Sequence, residues 1–275
     1  MSVCSGPAVV SVSTGCLEVS TTIYPYTAWK DAMIHSAFEN AGATISGVET
    51  AYNSLKKQGK IKDDMYFVAF GGDGGTYDIG LQSLSGAVER GHNFVYVCYD
   101  NGAYMNTGFQ RSSATPYGAW TTTSPVGKEA AGKQQNRKDL TAILVAHDIP
   151  YAATASPHNF KDLMTKAEKA FATPGPAFLN VISPCPRGWR TPSDQTVALA
   201  KEAVQSCYWP LYEVENGKYK INYKPGKKKT PVADWLKKQG RFAHLFKGDH
   251  QVMLDDIQAY IDRKWEELLK KEACL

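Results

Sequence analysis

Short apolar runs, each closed by glycine or a polar cluster, alternate along this chain with longer segments of helical spacing. The runs are Val9-Val10-Ser11-Val12-Ser13, Tyr66-Phe67-Val68-Ala69-Phe70, Phe94-Val95-Tyr96-Val97-Cys98, Tyr151-Ala152-Ala153-Thr154 and Phe178-Leu179-Asn180-Val181-Ile182. Most of their residues are β-branched or aromatic, as in parallel strands buried on both faces. Between them, Ala32–Leu55, Ile79–Arg90 and Phe160–Ala172 repeat apolar residues at helical intervals. Strands alternating with helices predict βαβ units, hence an α/β fold with a parallel sheet flanked by helices.

Two stretches break that rhythm. Residues 102–140 are rich in Thr, Ser, Gly and Pro, and too long for an ordinary connection; such loops are functional or disordered. Beyond residue 190, Leu211–Tyr223 alternates around Asn216-Gly217, which predicts a β-hairpin. The basic run Lys224–Lys229 follows as a predicted solvated loop, and an amphipathic helix is expected over Gln251–Leu269. The chain therefore divides into a main domain, residues 1–195, and a C-terminal extension, residues 196–275, that wraps this domain or a partner. No internal repeat is present.

Composition narrows the class without naming a function. The 275 residues suffice for one substantial α/β domain with its own core. A net charge of +4 is too small and too dispersed to predict nucleic-acid binding. No apolar run approaches the ~18 residues of a membrane span. Met1–Ser13 lacks the basic and apolar regions of a secretory signal, so a cytoplasmic protein is expected. The six cysteines, Cys4, Cys16, Cys98, Cys185, Cys207 and Cys274, contain no Cys-x-x-Cys pair. Scattered in this way, they read as small core residues or metal ligands.

The chemistry concentrates at Phe70-Gly71-Gly72-Asp73-Gly74-Gly75-Thr76-Tyr77-Asp78-Ile79-Gly80. A strand runs into four glycines around one aspartate, and a helix opens at once. Glycines admit a ligand close to the backbone, and a helix start offers free N–H groups to an anion. An aspartate beside a phosphate requires a cation between them, and Mg²⁺ shared by carboxylate and phosphate oxygens fits. The next predicted strand, Phe94–Cys98, leads to Asp100-Asn101, placing Asp73 and Asn101 at carboxyl ends of parallel strands, where open α/β sheets bind ligands. Spacing favours Asn101 as the second metal ligand, with Asp100 in support. The segment fits neither the dinucleotide fingerprint, since Tyr77 occupies the last glycine position, nor the P-loop, since no Gly-Lys-Ser/Thr follows.

This Gly-Asp-Gly, helix, strand, Asn arrangement resembles the diphosphate-binding motif of thiamine diphosphate enzymes. Further blocks are similar to the β subunit of pyruvate:ferredoxin oxidoreductases. They are Thr14-Gly15-Cys16-Leu17-Glu18-Val19, Tyr24–Trp29, Ala37–Asn40, Gly72–Gln82, Tyr104-Met105-Asn106-Thr107-Gly108 and Tyr208–Glu213. The resemblance spans nearly the whole chain. It implies the thiamine diphosphate-binding fold, with Mg²⁺ held by Asp73, Asn101 and the carbonyl of Ala103. It further implies that Gly72, Gly74 and the Thr14-Gly15-Cys16 turn lie against the diphosphate, and that Asn106 orients the oxoacid. The implied reaction is oxidative decarboxylation of pyruvate with coenzyme A to acetyl-CoA and CO₂, with electrons passing to ferredoxin. Branched-chain 2-oxoacids are the alternative substrates, and a non-catalytic electron-relay subunit is the alternative role. Family members draw the glutamate that activates the cofactor from another subunit, so the chain is expected to act only with partners.

The family's β subunit also carries a [4Fe–4S] cluster on four cysteine thiolates. Cys16 and Cys185 match two ligand positions, whereas the usual upstream Cys-x-x-Cys is absent. A sequence beginning downstream of the natural start is the favoured reading. A lost cluster, or Cys4 as a third ligand, are the alternatives. His35, read as helical, is expected to be satisfied by ordinary hydrogen bonds. Lys224–Lys229 could attract an acidic ferredoxin, and Arg111–Lys133 could close over the cofactor or meet another subunit.

Overall fold

The computed structural model describes residues 1–226 and 229–274. Lys227 and Lys228, in the basic run read above as a loop, lie outside the described residues. A parallel set of six strands forms the centre: β1 (Ala8–Ser13), β2 (Ala32–Ser36), β3 (Tyr66–Gly72), β4 (Val95–Asp100), β5 (Tyr151–Ala155) and β6 (Ala177–Ile182). A hairpin, β7 (Tyr212–Glu215) and β8 (Lys218–Ile221), completes an eight-stranded sheet in the order β2-β1-β3-β4-β6-β5-β7-β8. Its two-residue turn has Asn216 at φ 48° and Gly217 at φ 79°, the left-handed pair that Asn-Gly supplies at little cost. Because β7 pairs antiparallel with β5, the hairpin continues the main sheet.

The helices are α1 (Cys16–Thr21), α2 (Ala41–Lys57), α3 (Leu81–Glu89), α4 (Leu140–Val145), α5 (Phe160–Ala172), α6 (Pro186–Trp189), α7 (Thr196–Gln205), α8 (Val232–Lys237) and α9 (Gln251–Ala273). One sheet face buries Phe67, Ala69, Tyr96 and Phe178 against Ile45 and Tyr52 of α2, Leu84 of α3 and Leu144 of α4. The other buries Val95, Ala153 and Leu179 against Ala170 of α5. Every strand and helix run picked from apolar spacing has its counterpart, with one correction. Ala32–Ser36, read as the start of a helix, is edge strand β2, paired in register with Val9–Ser13, and the helix begins at Ala41. The strand is mostly exposed, so its composition lacks the apolar signature of its neighbours. His35 is accordingly a strand residue.

A third core gathers Trp189, Trp209, Trp235, Phe242, Leu254 and Ile257 around Ala103 and Met105. It joins residues beyond 196 to the stretch that follows β4. That stretch, residues 102–140, turns part of its length inward despite its polar composition, with Ser112, Ala114, Thr115 and Ala119 all buried, while residues 125–129 are exposed. Among the described residues, no helix is long and apolar enough to cross a membrane.

Candidate functional site

Three adjacent strands, β1, β3 and β4, deliver their carboxyl ends to one place. Gly72 of β3 stands opposite Tyr99 of β4, so Asp73 and Asn101 leave neighbouring tips, beside the Thr14-Gly15-Cys16 turn after β1. Thr14, Gly15, Cys16, Gly72, Asp73, Gly74, Asn101, Ala103 and Asn106 all line a single cleft, about 320 Å³ counting its open mouth. Gly74–Ile79 is wound as a π-helix before α3 begins, a local widening often found at functional sites. The glycines are required by space: a Cβ on Gly74 would run into the Tyr104 ring, and one on Gly75 would sit 2.6 Å from the Phe38 carbonyl.

The centre of the cleft is a meeting of oxygens. One heteroatom of the Asn101 side-chain amide lies 2.9 Å from Asp73 Oδ1 and 2.8 Å from the carbonyl oxygen of Ala103. With nitrogen in that position the amide donates to both. With oxygen there, it accepts from Ala103 N at 3.3 Å and faces two further oxygens, an arrangement that a cation would satisfy. Octahedral Mg²⁺ with bonds of ~2.1 Å sets neighbouring ligand oxygens ~3.0 Å apart, so the spacing and the hard, oxygen-only donor set fit that ion. Among the described residues no group of three His, Cys, Asp or Glu could hold a metal; the cleft instead offers one carboxylate and two neutral oxygens.

Asp73 is 1% exposed. Burial, then the nearby Asp100, pushes its carboxyl well above the usual range, opposed by hydrogen bonds from Ser112 and the Asn101 amide. Ser112 Oγ donates to Oδ2 at 2.5 Å and Asn101 N to Oδ1 at 3.3 Å. A buried carboxylate in this state gains strongly from an adjacent cation. Asp100 is committed elsewhere: it accepts from Arg137 at 2.5 Å and from Tyr77 Oη at 2.6 Å. Arg137 also stacks over Trp209, with 4.7 Å from guanidinium carbon to ring centre.

The Asn101–Ala103 loop is held by its other carbonyls. Trp189 Nε1 donates to the Asn101 carbonyl at 2.7 Å, and Thr115 Oγ1 donates to that of Gly102 at 2.8 Å. Gly102 has φ 76°, a left-handed turn, and the carbonyl of Ala103 after it lies against the Asn101 side-chain amide. Thr14 Oγ1 is 3.0 Å from His35 Nε2 and donates to Ser36 O. Asn106 is exposed at the cleft's rim.

The cysteines divide. Cys16 opens α1 within the cleft, and burial raises its thiol, followed by the influence of Cys185 nearby. Cys185 caps α6, its sulfur accepting from Gly188 N at 3.4 Å. Cys4 precedes β1 and donates to Gly6 O at 3.5 Å. These three thiols do not form one metal-holding group among the described residues, so they do not fit a four-thiolate cluster by themselves.

Sequence reasoning missed Ser112, Thr115, Arg137 and Trp189. Each reaches the site from a distant part of the chain, and only the polar length of residues 102–140 hinted at the first three.

The fold and the cleft define a thiamine diphosphate-binding protein, and the chain belongs to the thiamine pyrophosphate enzyme family, whose C-terminal TPP-binding domain model matches residues 13–181. Within it, the branch is that of the PorB and VorB subunits. Pyruvate synthase subunit PorB of Thermotoga maritima is 57% identical over 267 residues, covering 96% of this chain and 82% of that protein. PorB of Methanocaldococcus jannaschii is 51% identical, covering 93% and 85%. Ketoisovalerate oxidoreductase subunit VorB of Pyrococcus abyssi is 48% identical, covering 93% and 81%. The fold also matches 2-oxoglutarate:ferredoxin oxidoreductase from Magnetococcus marinus, with a TM-score of 0.54 at 23% identity over 70% of this chain and 67% of that one.

Proposed function

We propose that this chain is the thiamine diphosphate-binding β subunit of a pyruvate:ferredoxin oxidoreductase, turning pyruvate and coenzyme A into acetyl-CoA and CO₂ within a complex. The observation that carries the reading is the convergence of Asp73, Asn101 and the Ala103 carbonyl at two neighbouring strand tips. Similarity to PorB supplies the reaction.

In this reading Asp73, Asn101 and Ala103 O hold Mg²⁺, which neutralises the diphosphate. Gly72, Gly74 and the Thr14-Gly15-Cys16 turn let that group approach the backbone. Asn106 at the rim orients the oxoacid. When bound, thiamine diphosphate supplies the carbon nucleophile and the electron sink for decarboxylation. The chain's own work is to fix the cofactor's charged end and to wall the cleft with Phe38, Tyr104 and Met105.

Asp73 is the only acidic side chain lining the cleft among the described residues, and its role here is metal binding. In this reading the activating glutamate comes from a partner subunit. An exposed apolar strip, Ile23 at 61%, Tyr24 at 90% and Tyr26 at 84%, supports docking of such a partner. Ferredoxin is the proposed electron acceptor and the cytoplasm the proposed location. Cys16 and Cys185 remain the candidate cluster thiolates, with Cys4 as a weaker third. The described residues by themselves do not assemble a four-thiolate site.

Calorimetry with thiamine diphosphate and Mg²⁺ tests the cofactor reading: the full chain binds both, and absence of heat with either order of addition overturns it. A second reading, action on 2-oxoisovalerate, is favoured by the VorB similarity. Rates of ferredoxin reduction by the assembled complex with pyruvate and with 2-oxoisovalerate decide between them. Iron content of the purified chain checks the cluster.

A further inference from the structure

Lys133 is 2% exposed and sits at the end of the long polar loop. A buried ammonium is costly unless its donors are satisfied. This one donates to three backbone carbonyls: Ser112 at 3.3 Å, Ser113 at 3.3 Å and Thr115 at 2.6 Å. Three donors meet three acceptors, the full capacity of a lysine. Its own backbone is pinned as well, by Lys133 N to Ala119 O at 3.0 Å and Gly118 N to Lys133 O at 2.8 Å.

The turn gathered by this ammonium touches both halves of the cleft's oxygen set. Ser112 Oγ donates to Asp73 Oδ2, and Thr115 Oγ1 donates to the carbonyl of Gly102, between Asn101 and Ala103. Ser113 N donates to Asp78 Oδ2 at 2.9 Å, tying the turn to the π-helix. The carbonyls of three nearly consecutive residues converge on this one ammonium.

We propose that Lys133 is a positioning residue for the cation site: its ammonium folds the Ser112–Thr115 turn so that Ser112 aims Asp73 and Thr115 fixes the Asn101–Ala103 loop. The inference rests on the Mg²⁺ reading above. It also gives the protein a dependence on pH. Burial, then Arg111 and Arg137, pushes the ammonium down to about 8, against the pull of Asp78 and Asp73. A neutral amine has two protons for three carbonyls, so the turn loosens as pH rises through that value. Ionisation of Asp73 moves cation affinity the other way, strengthening it as pH rises, so a fall between pH 7 and pH 9 isolates the lysine.

The test titrates Mg²⁺ into the full chain with saturating thiamine diphosphate. At pH 7, Lys133→Met is expected to bind Mg²⁺ about tenfold or more weakly, the usual cost of losing support behind a metal ligand. Wild type is expected to lose affinity from pH 7 to pH 9, while the variant's affinity does not fall over that range. Lys238→Met, at an exposed pair with Glu202, serves as the control that leaves binding unchanged. Where Lys133→Met fails to fold, as seen by circular dichroism, Thr115→Val removes the link to Gly102 and is expected to weaken Mg²⁺ similarly. Unchanged affinity in whichever of the two folds overturns the inference. A wild-type chain that binds no Mg²⁺ overturns the cation reading itself, a distinct result.

Discussion

The indole Nε1 of Trp189 donates to the backbone carbonyl of Asn101 at 2.7 Å, joining residues 88 positions apart. With Asn101 O and Gly102 O both engaged, Ala103 O is the carbonyl of this loop left facing the Asn101 side chain, which also meets Asp73. Trp189→Phe deletes the donor and leaves a cavity where the indole's second ring was, at a further cost. The buried acceptor it abandons costs about 1–3 kcal/mol, and Mg²⁺ affinity is expected to drop about tenfold. Urea unfolding and a metal titration check the two effects; a variant matching wild type in both shows that the loop holds its shape unaided.

Asp73→Asn separates charge from shape. Burial and Asp100 hold the Asp73 carboxyl above its usual range, so without metal the folded chain retains a proton there that the unfolded chain has released. That linkage lowers metal-free stability as pH rises above about 4 toward the raised value, and the loss persists at neutral pH. The asparagine variant escapes it. Its melting temperature without metal is expected to exceed that of wild type at neutral pH, whereas Mg²⁺ with thiamine diphosphate no longer raises it. Scanning calorimetry with and without the ligands reads both.

Two glycines predict opposite outcomes. A Cβ on Gly75 would lie 2.6 Å from Phe38 O, a backbone atom that no rotamer change can move, so Gly75→Ala is expected to destabilise the chain and abolish cofactor binding. Gly47 is an exposed position of α2 with no atom within 4 Å of a new Cβ, and Gly47→Ala is expected to stabilise by about 0.5–1 kcal/mol. Denaturant midpoints for the pair check the signs.

Glu213 ties the hairpin to the main sheet. Burial opposes its charge, yet Lys169, Tyr151 and Asn222 together outweigh burial and lower the carboxyl to about 2. Its contribution to stability is complete above the unfolded value near 4.5 and disappears as pH falls toward 2. Glu213→Gln is expected to flatten the decline of melting temperature across that window. An unchanged slope refutes the assignment.

Much of the fold was legible because burial leaves a periodic trace. Five of the six parallel strands and the glycine-rich turn announced themselves through β-branched runs ending at Gly72 and at Asp100-Asn101. Strand β2 did not, because an exposed edge strand needs no apolar face; its identity depends on pairing with β1. The Asn216-Gly217 hairpin was readable because its backbone angles demand those residues.

The sequence by itself determined the layered α/β plan, the residue types able to bind a cation and a diphosphate, and the kinship those motifs carry. Only the tertiary structure decided which way the Ala103 carbonyl faces and which side chains hold it there. Ser112, Lys133, Trp189 and Arg137 act across separations of 20 residues or more. Periodicity reports what a residue buries against its own neighbours in the chain. It carries no record of a hydrogen bond closed by a distant loop, because that bond depends on where two remote backbones meet.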